Sequence, residues 1–242
     1  IGSGALSNET GTYNTAIGYN ALQNLSSGSD NTAIGAYALA NASSGNWNLA
    51  IGSFALYECT SCGNNTAIGQ DALRFNTTGS VNMGIGIDAL EFNTTGSNNT
   101  AIGYSALSSN TTGTNNVVLG NYGLDGITTG SNNTAVGNNA GQSTNGDRNV
   151  FIGYEAGANA TGSDKLYISN SSTTNLITGN FSSGDLSLGQ TSGTVAILND
   201  ADIDGTLTLG SLSDVESSIN TNSTNISSND TDIATNATNI SS

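Results

Sequence analysis

A fixed period constrains this chain more than any other feature. An aliphatic residue followed by Gly recurs at Ile1, Ile17, Ile34, Ile51, Ile68, Ile85, Ile102, Leu119, Val136 and Ile152. From Ile17 to Val136 every step is 17 residues, and the first and last steps are 16. Each unit reads Asn-Thr-Ala-Ile-Gly, two variable residues, Ala-Leu, then a Ser/Thr/Asn-rich stretch ending in Gly. Asn14 to Leu22 and Asn99 to Leu107 are examples. A repeat this short belongs to a solenoid or fibre that grows by stacking, not to a globular enzyme.

Seventeen residues are too few for two helices and a turn, and Asn, Thr, Ser and Gly are poor helix formers. They suffice for two short strands of about five residues and two tight turns. Glycines such as Gly79, Gly96, Gly113 and Gly130 supply the turns. Neighbouring strand side chains point to opposite faces. Ala16 and Ile17 are adjacent and both apolar. One therefore lines the inside of the coil and the other needs a partner outside the chain. Ten coils at about 4.8 Å each predict a rod of roughly 50 Å. The Asn that heads each unit (Asn14, Asn31, Asn48, Asn65, Asn82, Asn99, Asn116, Asn133, Asn149) is expected to form a ladder of side-chain amides.

Charge narrows the partners. Three Lys and Arg face 18 Asp and Glu, for a net charge of −15. This argues against nucleic acid, whose binding needs basic patches, and against anionic membrane surfaces. No apolar run approaches the roughly 20 residues of a spanning helix, so no membrane insertion is expected in this segment. No signal peptide is visible. The chain opens inside a repeat and stops inside a heptad, so it reads as part of a longer protein.

The period stops near Asp164. Short strand-like runs follow at Lys165 to Ile168, Leu186 to Leu188, Val195 to Leu198 and Thr206 to Leu209, punctuated by glycines. A small β connector is expected over residues 164–211, after a repeat array over 1–163. Within it, Asp200, Asp202 and Asp204 followed by Gly205 match the first half of a calcium loop. Ser211 stands where the bidentate acid belongs, so a strand with acids on one wet face is the better reading and calcium is not expected.

Residues 212–242 carry a heptad pattern. Ile219, Ile226, Ile233 and Ile240 are spaced by seven, and Asn222, Asn229 and Asn236 follow the first three by three residues. Leu212 and Val215 extend the spacing upstream. Ile at a and Asn at d describe a coiled-coil seam. The surrounding Asn, Thr and Ser are weak helix formers, so the helix must be held by association.

Taken together, Asn-Thr-Ala-Ile-Gly-x-x-Ala-Leu, the Asn-Thr-Thr-Gly turns and the Ile-x-x-Asn heptads resemble trimeric autotransporter adhesins and phage tail-fibre-like proteins. The block from Asn149 to Gly157 followed by Lys165 to Ile168 resembles the way such arrays end. The resemblance implies a left-handed parallel β-roll, or β-solenoid, with three chains around one axis. It also implies a parallel trimeric stalk whose d-site Asn222, Asn229 and Asn236 turn inward and hold chloride or another anion. The Thr that follows Asn in the family pattern is Ser223, Asp230 and Ala237 here.

Little in the chain carries chemistry. His is absent, and no Ser has a recognisable base and orienter. Asp88 and Glu91 occupy variable repeat positions and read as solvated loop acids. Cys59 and Cys62 replace the turn's usual Asn and Gly. Two thiols do not complete a zinc site in one chain, and a redox pair expects another setting. A local disulfide is expected, with interchain pairing as the alternative. Tyr19, Tyr37, Trp47, Phe54, Phe75 and Phe92 are candidates either for receptor contact or for packing between coils.

These features predict an all-β solenoid, a β connector and a trimeric coiled coil, forming an extracellular adhesive fibre of a virion, an injection particle or a bacterial surface. The expected partners are two further copies, the rest of a larger fibre, and a cell-surface glycan or protein receptor. No cofactor and no catalysis are expected. Two other classes remain: an ice- or surface-templating solenoid using Thr15, Thr32, Thr66, Thr100 and Thr134, and a polysaccharide-degrading spike.

Overall fold

Each 17-residue unit contains one short strand, not two. In the computed structural model, which describes residues 2–7, 10–189 and 213–241, the repeats form a parallel β-solenoid of about nine turns. Its strands are β1 (Thr15–Ile17), β2 (Thr32–Ile34), β3 (Leu49–Ile51), β4 (Thr66–Ile68) and β5 (Met83–Ile85). β6 (Thr100–Ile102), β7 (Val117–Leu119), β8 (Thr134–Val136) and β9 (Val150–Ile152) complete the stack. Neighbours pair in parallel and in register, as in Ala33 opposite Ala50 and Ile34 opposite Ile51.

The Ala-Leu pair that follows each strand is a turn. Leu39, Leu56, Leu73, Leu90 and Leu107 all have φ between 52° and 56°, a region that L-residues other than Asn and Asp rarely enter. Two things offset that cost. The leucine side chains are fully buried, and their N–H groups bond to the next coil, as Leu39 donates to Ala55 O at 3.0 Å. Hydrogen bonding along the solenoid axis therefore continues through the turns as well as the strands.

The core is narrow. Ala16, Ala33, Ala50, Ala67 and Ala101 point inward from the strands, against the Leu column. The head asparagines form the expected ladder. Asn48 donates both its N–H and its Nδ2 to Asn31 Oδ1 at 3.0 Å, and Asn65 repeats this onto Asn48. Each amide also crosses the coil, as Asn65 Nδ2 donates to Gly79 O at 3.0 Å. A polar group at the core of each coil is thus satisfied on both sides, which is what permits its burial. The glycine after each strand is required by close stacking. Gly69 has φ 138°, and a Cβ there would lie 2.3 Å from Gly86 O.

The sheet does not end with the period. β10 (Lys165–Ser169) pairs in parallel with β9, and β11 (Asn175–Asn180) and β12 (Asp185–Leu188) add antiparallel strands. The strand order runs unbroken from β1 to β12. The chain divides into two compact units, Ile1–Thr194 and Val195–Ser242. In the second, α1 (Ser213–Ile240) is a 28-residue helix, about 42 Å long at about 1.5 Å per residue. Its hydroxyls bond back to their own helix, as Thr231 Oγ1 donates to Ser227 O at 2.9 Å, which lets Thr and Ser sit there without orphaned groups.

Candidate functional site

Three surfaces place chemistry where a partner can reach it. The first is the outer face of the strands. An inward residue, Ala in most coils and Gly84, Val118 and Phe151 in the others, alternates with an outward Ile, Leu or Val, and Ile17, Leu119 and Ile152 are 45%, 50% and 41% exposed. Beside them runs the column Thr15, Thr32, Leu49, Thr66, Met83, Thr100, Val117, Thr134 and Val150, held in register by the ladder. The result is a continuous aliphatic and threonine stripe. A contiguous patch of this kind marks an interaction surface. The threonine row is interrupted at Leu49, Met83, Val117 and Val150, as the sequence indicates.

The second surface is the turn that follows each strand. Tyr37 stacks on Phe54 with ring centroids 5.0 Å apart, and Tyr19 and Tyr57 meet them edge-on. Phe75 stacks on Phe92 at 5.3 Å, and Tyr104 meets Tyr122 edge-on at 5.1 Å. Between the first two groups lies Arg74. Its guanidinium is 5.1 Å from the Phe54 ring and 4.9 Å from the Phe75 ring. It also pairs with Asp71 at 3.2 Å. Trp47 stands apart from these rings in a different turn and is 63% exposed.

Asp88 and Glu91 adjoin this strip. Desolvation, then repulsion from Asp71, raises the Asp88 carboxyl above its ordinary value. Desolvation followed by repulsion from Asp88 and Asp71 raises Glu91, and Arg74 opposes the shift. These are partly buried acids under mutual strain, not the freely solvated loop acids that sequence suggests. Asp125 is raised by desolvation, opposed by a hydrogen bond from Gln142. Among the described residues no group of three acids or thiols is arranged to hold a metal ion.

The third surface is α1. Asn222, Asn229 and Asn236 are all exposed on it, as are Ile226, Ile233 and Ile240 at 61%, 65% and 87%. Val215 and Ile219 lie within the helix by backbone position. Leu212 and the acids Asp200, Asp202 and Asp204 fall outside the described residues. No helix among the described residues is long and apolar enough to cross a membrane.

Cys59 and Cys62 are joined by a disulfide, with Cα atoms 5.4 Å apart. One coil on, Asn76 Nδ2 donates to Gly79 O at 2.9 Å across the same three-residue span. The disulfide therefore takes the place of a side-chain hydrogen bond that closes the equivalent turn.

By count alone Arg74 and Arg148 are too few for a phosphate site, and the pair of rings around Arg74 is not foreseen. The signal was present: Phe54 and Phe75 fall in neighbouring coils on the same turn, where a 17-residue period brings them to either side of Arg74. Comparison with known protein families, with curated proteins and with solved structures gives no match to this chain.

Proposed function

We propose that this chain is a segment of a homotrimeric extracellular fibre that attaches a larger particle or cell to its target. One observation carries the reading: each of the two units exposes a regular apolar stripe. The solenoid has its outward Ile column, and α1 has Ile226, Ile233 and Ile240 at heptad spacing. A lone 28-residue helix of Asn, Thr and Ser has weak intrinsic stability. Association through the Ile/Asn seam as a parallel trimeric coiled coil supplies what propensity does not. In that arrangement Asn222, Asn229 and Asn236 face the axis, where three amides converge and can hold an anion such as chloride.

The fibre works by avidity, not catalysis. Three identical faces turn weak contacts into durable attachment, with a gain of about 100-fold or more over one face. The test is attachment of the labelled chain to candidate bacterial and animal cells, alongside the double variant Ile226→Asp/Ile233→Asp. Loss of cell binding by at least tenfold in the variant, with the solenoid still folded, is the expected result. Equal binding by both would contradict the reading.

A further inference from the structure

We propose that a cavity at the C-terminal end of the solenoid core, between the turn of the last full coil and the loop after β10, takes the acetamido group of an N-acetylated sugar. The inference rests on the fibre reading for its target, a cell-surface glycan, but the cavity is built within one chain.

The site arises where the period stops. In the repeat, the turn after each strand donates along the axis to the turn of the next coil. Leu124 N–H donates to Ala140 O at 3.0 Å, and Gly126 N–H to Gln142 O at 2.8 Å. One coil on, Gly141 donates to Ala156 O and Ser143 to Ala158 O, both at 2.9 Å. The next pair of donors is Gly157 and Asn159. No further Ala-Leu turn follows, because the chain leaves β10 through residues 170–174 into the antiparallel β11. The N–H groups of Gly157 and Asn159 therefore donate to no atom among the described residues. Gly157 is buried, where an unpaired N–H costs about as much as a lost hydrogen bond.

Around those donors lies a cavity of about 180 Å³, lined by Gly157, Asn159, Ala160, Tyr167, Ser172 and Asn175. Tyr167 stacks one face of its ring on Phe151, with centroids 5.9 Å apart, and lines the cavity with the rest. Asn175 opens β11, and its Oδ1 is buried and accepts no hydrogen bond. A buried acceptor without a donor calls for a missing partner. The loop that walls the cavity is held in place. Ser169 Oγ lies 2.7 Å from both Ser171 O and Thr174 O, and accepts from the Ser171 N–H at 3.1 Å.

Chemistry selects the occupant. Two free backbone donors, an unsatisfied amide oxygen and an apolar side made by Ala160 and Tyr167 complement a secondary amide with a methyl end. Its carbonyl accepts from Gly157 or Asn159, its N–H donates to Asn175 Oδ1, and its methyl packs on Ala160 and the Tyr167 ring. No lining side chain is charged, which suits a neutral ligand. Drug-sized ligands fill about 300 Å³ or more, so this cavity takes one terminal group and not a whole molecule. An acetamido substituent ends in its methyl, whereas an amide inside a peptide continues on both sides. The sugar ring that carries it would rest at the rim, where Asn159 is exposed.

The test is saturation-transfer NMR on the full chain. The probes are the methyl glycosides of N-acetylglucosamine, glucosamine and glucose, with N-acetylglycine methylamide as a peptide unit. The N-acetylglucosaminide should bind, with its acetyl methyl protons the most strongly saturated. The two sugars without the acetyl group should bind about tenfold more weakly or worse, because they leave the site's polar groups unpaired. Ala160→Leu fills the cavity and should abolish the signal while the solenoid stays folded by circular dichroism. Asn175→Leu removes the orphan acceptor and should weaken binding about fivefold. Trp47→Ala, which removes an exposed ring from another turn, should leave it within about twofold. Loss of binding in Trp47→Ala, or equal binding of the three sugars, would reduce the effect to stacking on exposed rings and overturn the proposal. Tighter binding of the peptide unit than of the sugar would overturn it in favour of a peptide partner. No binding of any probe would overturn it and leave water as the occupant. Molar mass and cell attachment are read separately, so this inference can fail while the fibre reading stands.

Discussion

Ile127 occupies, one coil further along, the position of Asn110, and Asn110 Oδ1 is buried with no hydrogen-bond donor. Below it the column is satisfied. Asn93 Nδ2 donates to Asn76 Oδ1 at 2.6 Å, and Asn110 Nδ2 to Asn93 Oδ1 at 2.7 Å. Above Ile127 comes Thr144, whose buried Oγ1 is also without a partner. An apolar residue thus interrupts a polar ladder and orphans an atom on each side.

Replacing Ile127 by Asn should therefore be tolerated, against the usual rule for a buried Ile. The new amide would donate to Asn110 Oδ1 and accept from Thr144 Oγ1. Relieving two unsatisfied atoms returns about 1–3 kcal/mol each, comparable with the apolar burial lost. Thermal denaturation should place Ile127→Asn within about 1 kcal/mol of the parent by this balance. Leu124→Asn, in the same coil but off the ladder, should lose about 3 kcal/mol or more. Similar losses in both variants would show that the ladder has no energetic meaning.

The disulfide makes a second prediction. If Cys59–Cys62 closes a turn that Asn and Gly close elsewhere, the pair Cys59→Asn/Cys62→Gly should recover most of the stability lost in Cys59→Ala/Cys62→Ala. The loss expected for the alanine pair is about 2 kcal/mol. The amide placed at position 59 would also sit beneath Asn76 Nδ2 and lengthen that ladder by one rung. Melting temperatures with and without reductant are the readout: the parent should fall on reduction and the Asn/Gly pair should not.

Packing near the end of the array supplies a third. Phe151 takes the inward strand position that Ala holds in most coils, and Gly141 and Gly157 take the Leu position on either side. A Cβ on Gly141 would lie 2.5 Å from Phe151 Cδ2, and one on Gly157 would lie 2.4 Å from Phe151 Cδ1. One large ring has replaced the volume of its flanking leucines. Gly141→Ala alone should destabilise by about 1–3 kcal/mol, and Phe151→Ala by about 3–5 kcal/mol. In the double variant the cost of Gly141→Ala should shrink by more than about 1 kcal/mol, the coupling expected of residues in contact. Additive losses would contradict the compensation.

The acids of the turn face fix the sign of the pH dependence. Folding raises the carboxyls of Asp88, Glu91 and Asp125, so the folded chain binds protons there more readily than the unfolded one. Stability should rise as pH falls from neutral through those folded values, with the gain complete below the unfolded ones. Asp164 is lowered, chiefly by its hydrogen bond from Arg148, and Glu155 by those from Tyr154 and Ser172. Their contributions are lost as pH falls below the ordinary carboxylate range. The melting temperature of the solenoid should therefore peak on the mildly acidic side. Glu91→Gln should raise it at neutral pH and leave it unchanged near pH 4. A maximum at neutral pH in both proteins would count against this account.

How far the sequence revealed this structure depends on which residues are asked. The period, the inward Ala and outward Ile, and the Asn ladder follow from spacing alone, because a stacked coil repeats every contact. The second strand per unit is absent because the chain turns at Ala-Leu, where Leu takes a left-handed conformation against its own preferences. The clue was in the same column, where Gly141 and Gly157 replace Leu and betray a positive φ. The helix over 213–240 was legible from the heptad spacing of Ile and Asn. The place of Arg74 between Phe54 and Phe75, and the stacking of the neighbouring rings, were not. They depend on which variable positions meet around a turn whose path only the structure supplies.

The central claim is threefold association, and molar mass in solution tests it most directly. Light scattering on the purified chain after size exclusion should give three times 24.2 kDa. It should fall toward 24.2 kDa when Ile226 and Ile233 are both replaced by Asp. A monomer of 24.2 kDa for the parent chain at micromolar concentration would contradict the account, and would leave the outer Ile stripe and the α1 seam without the partners proposed for them.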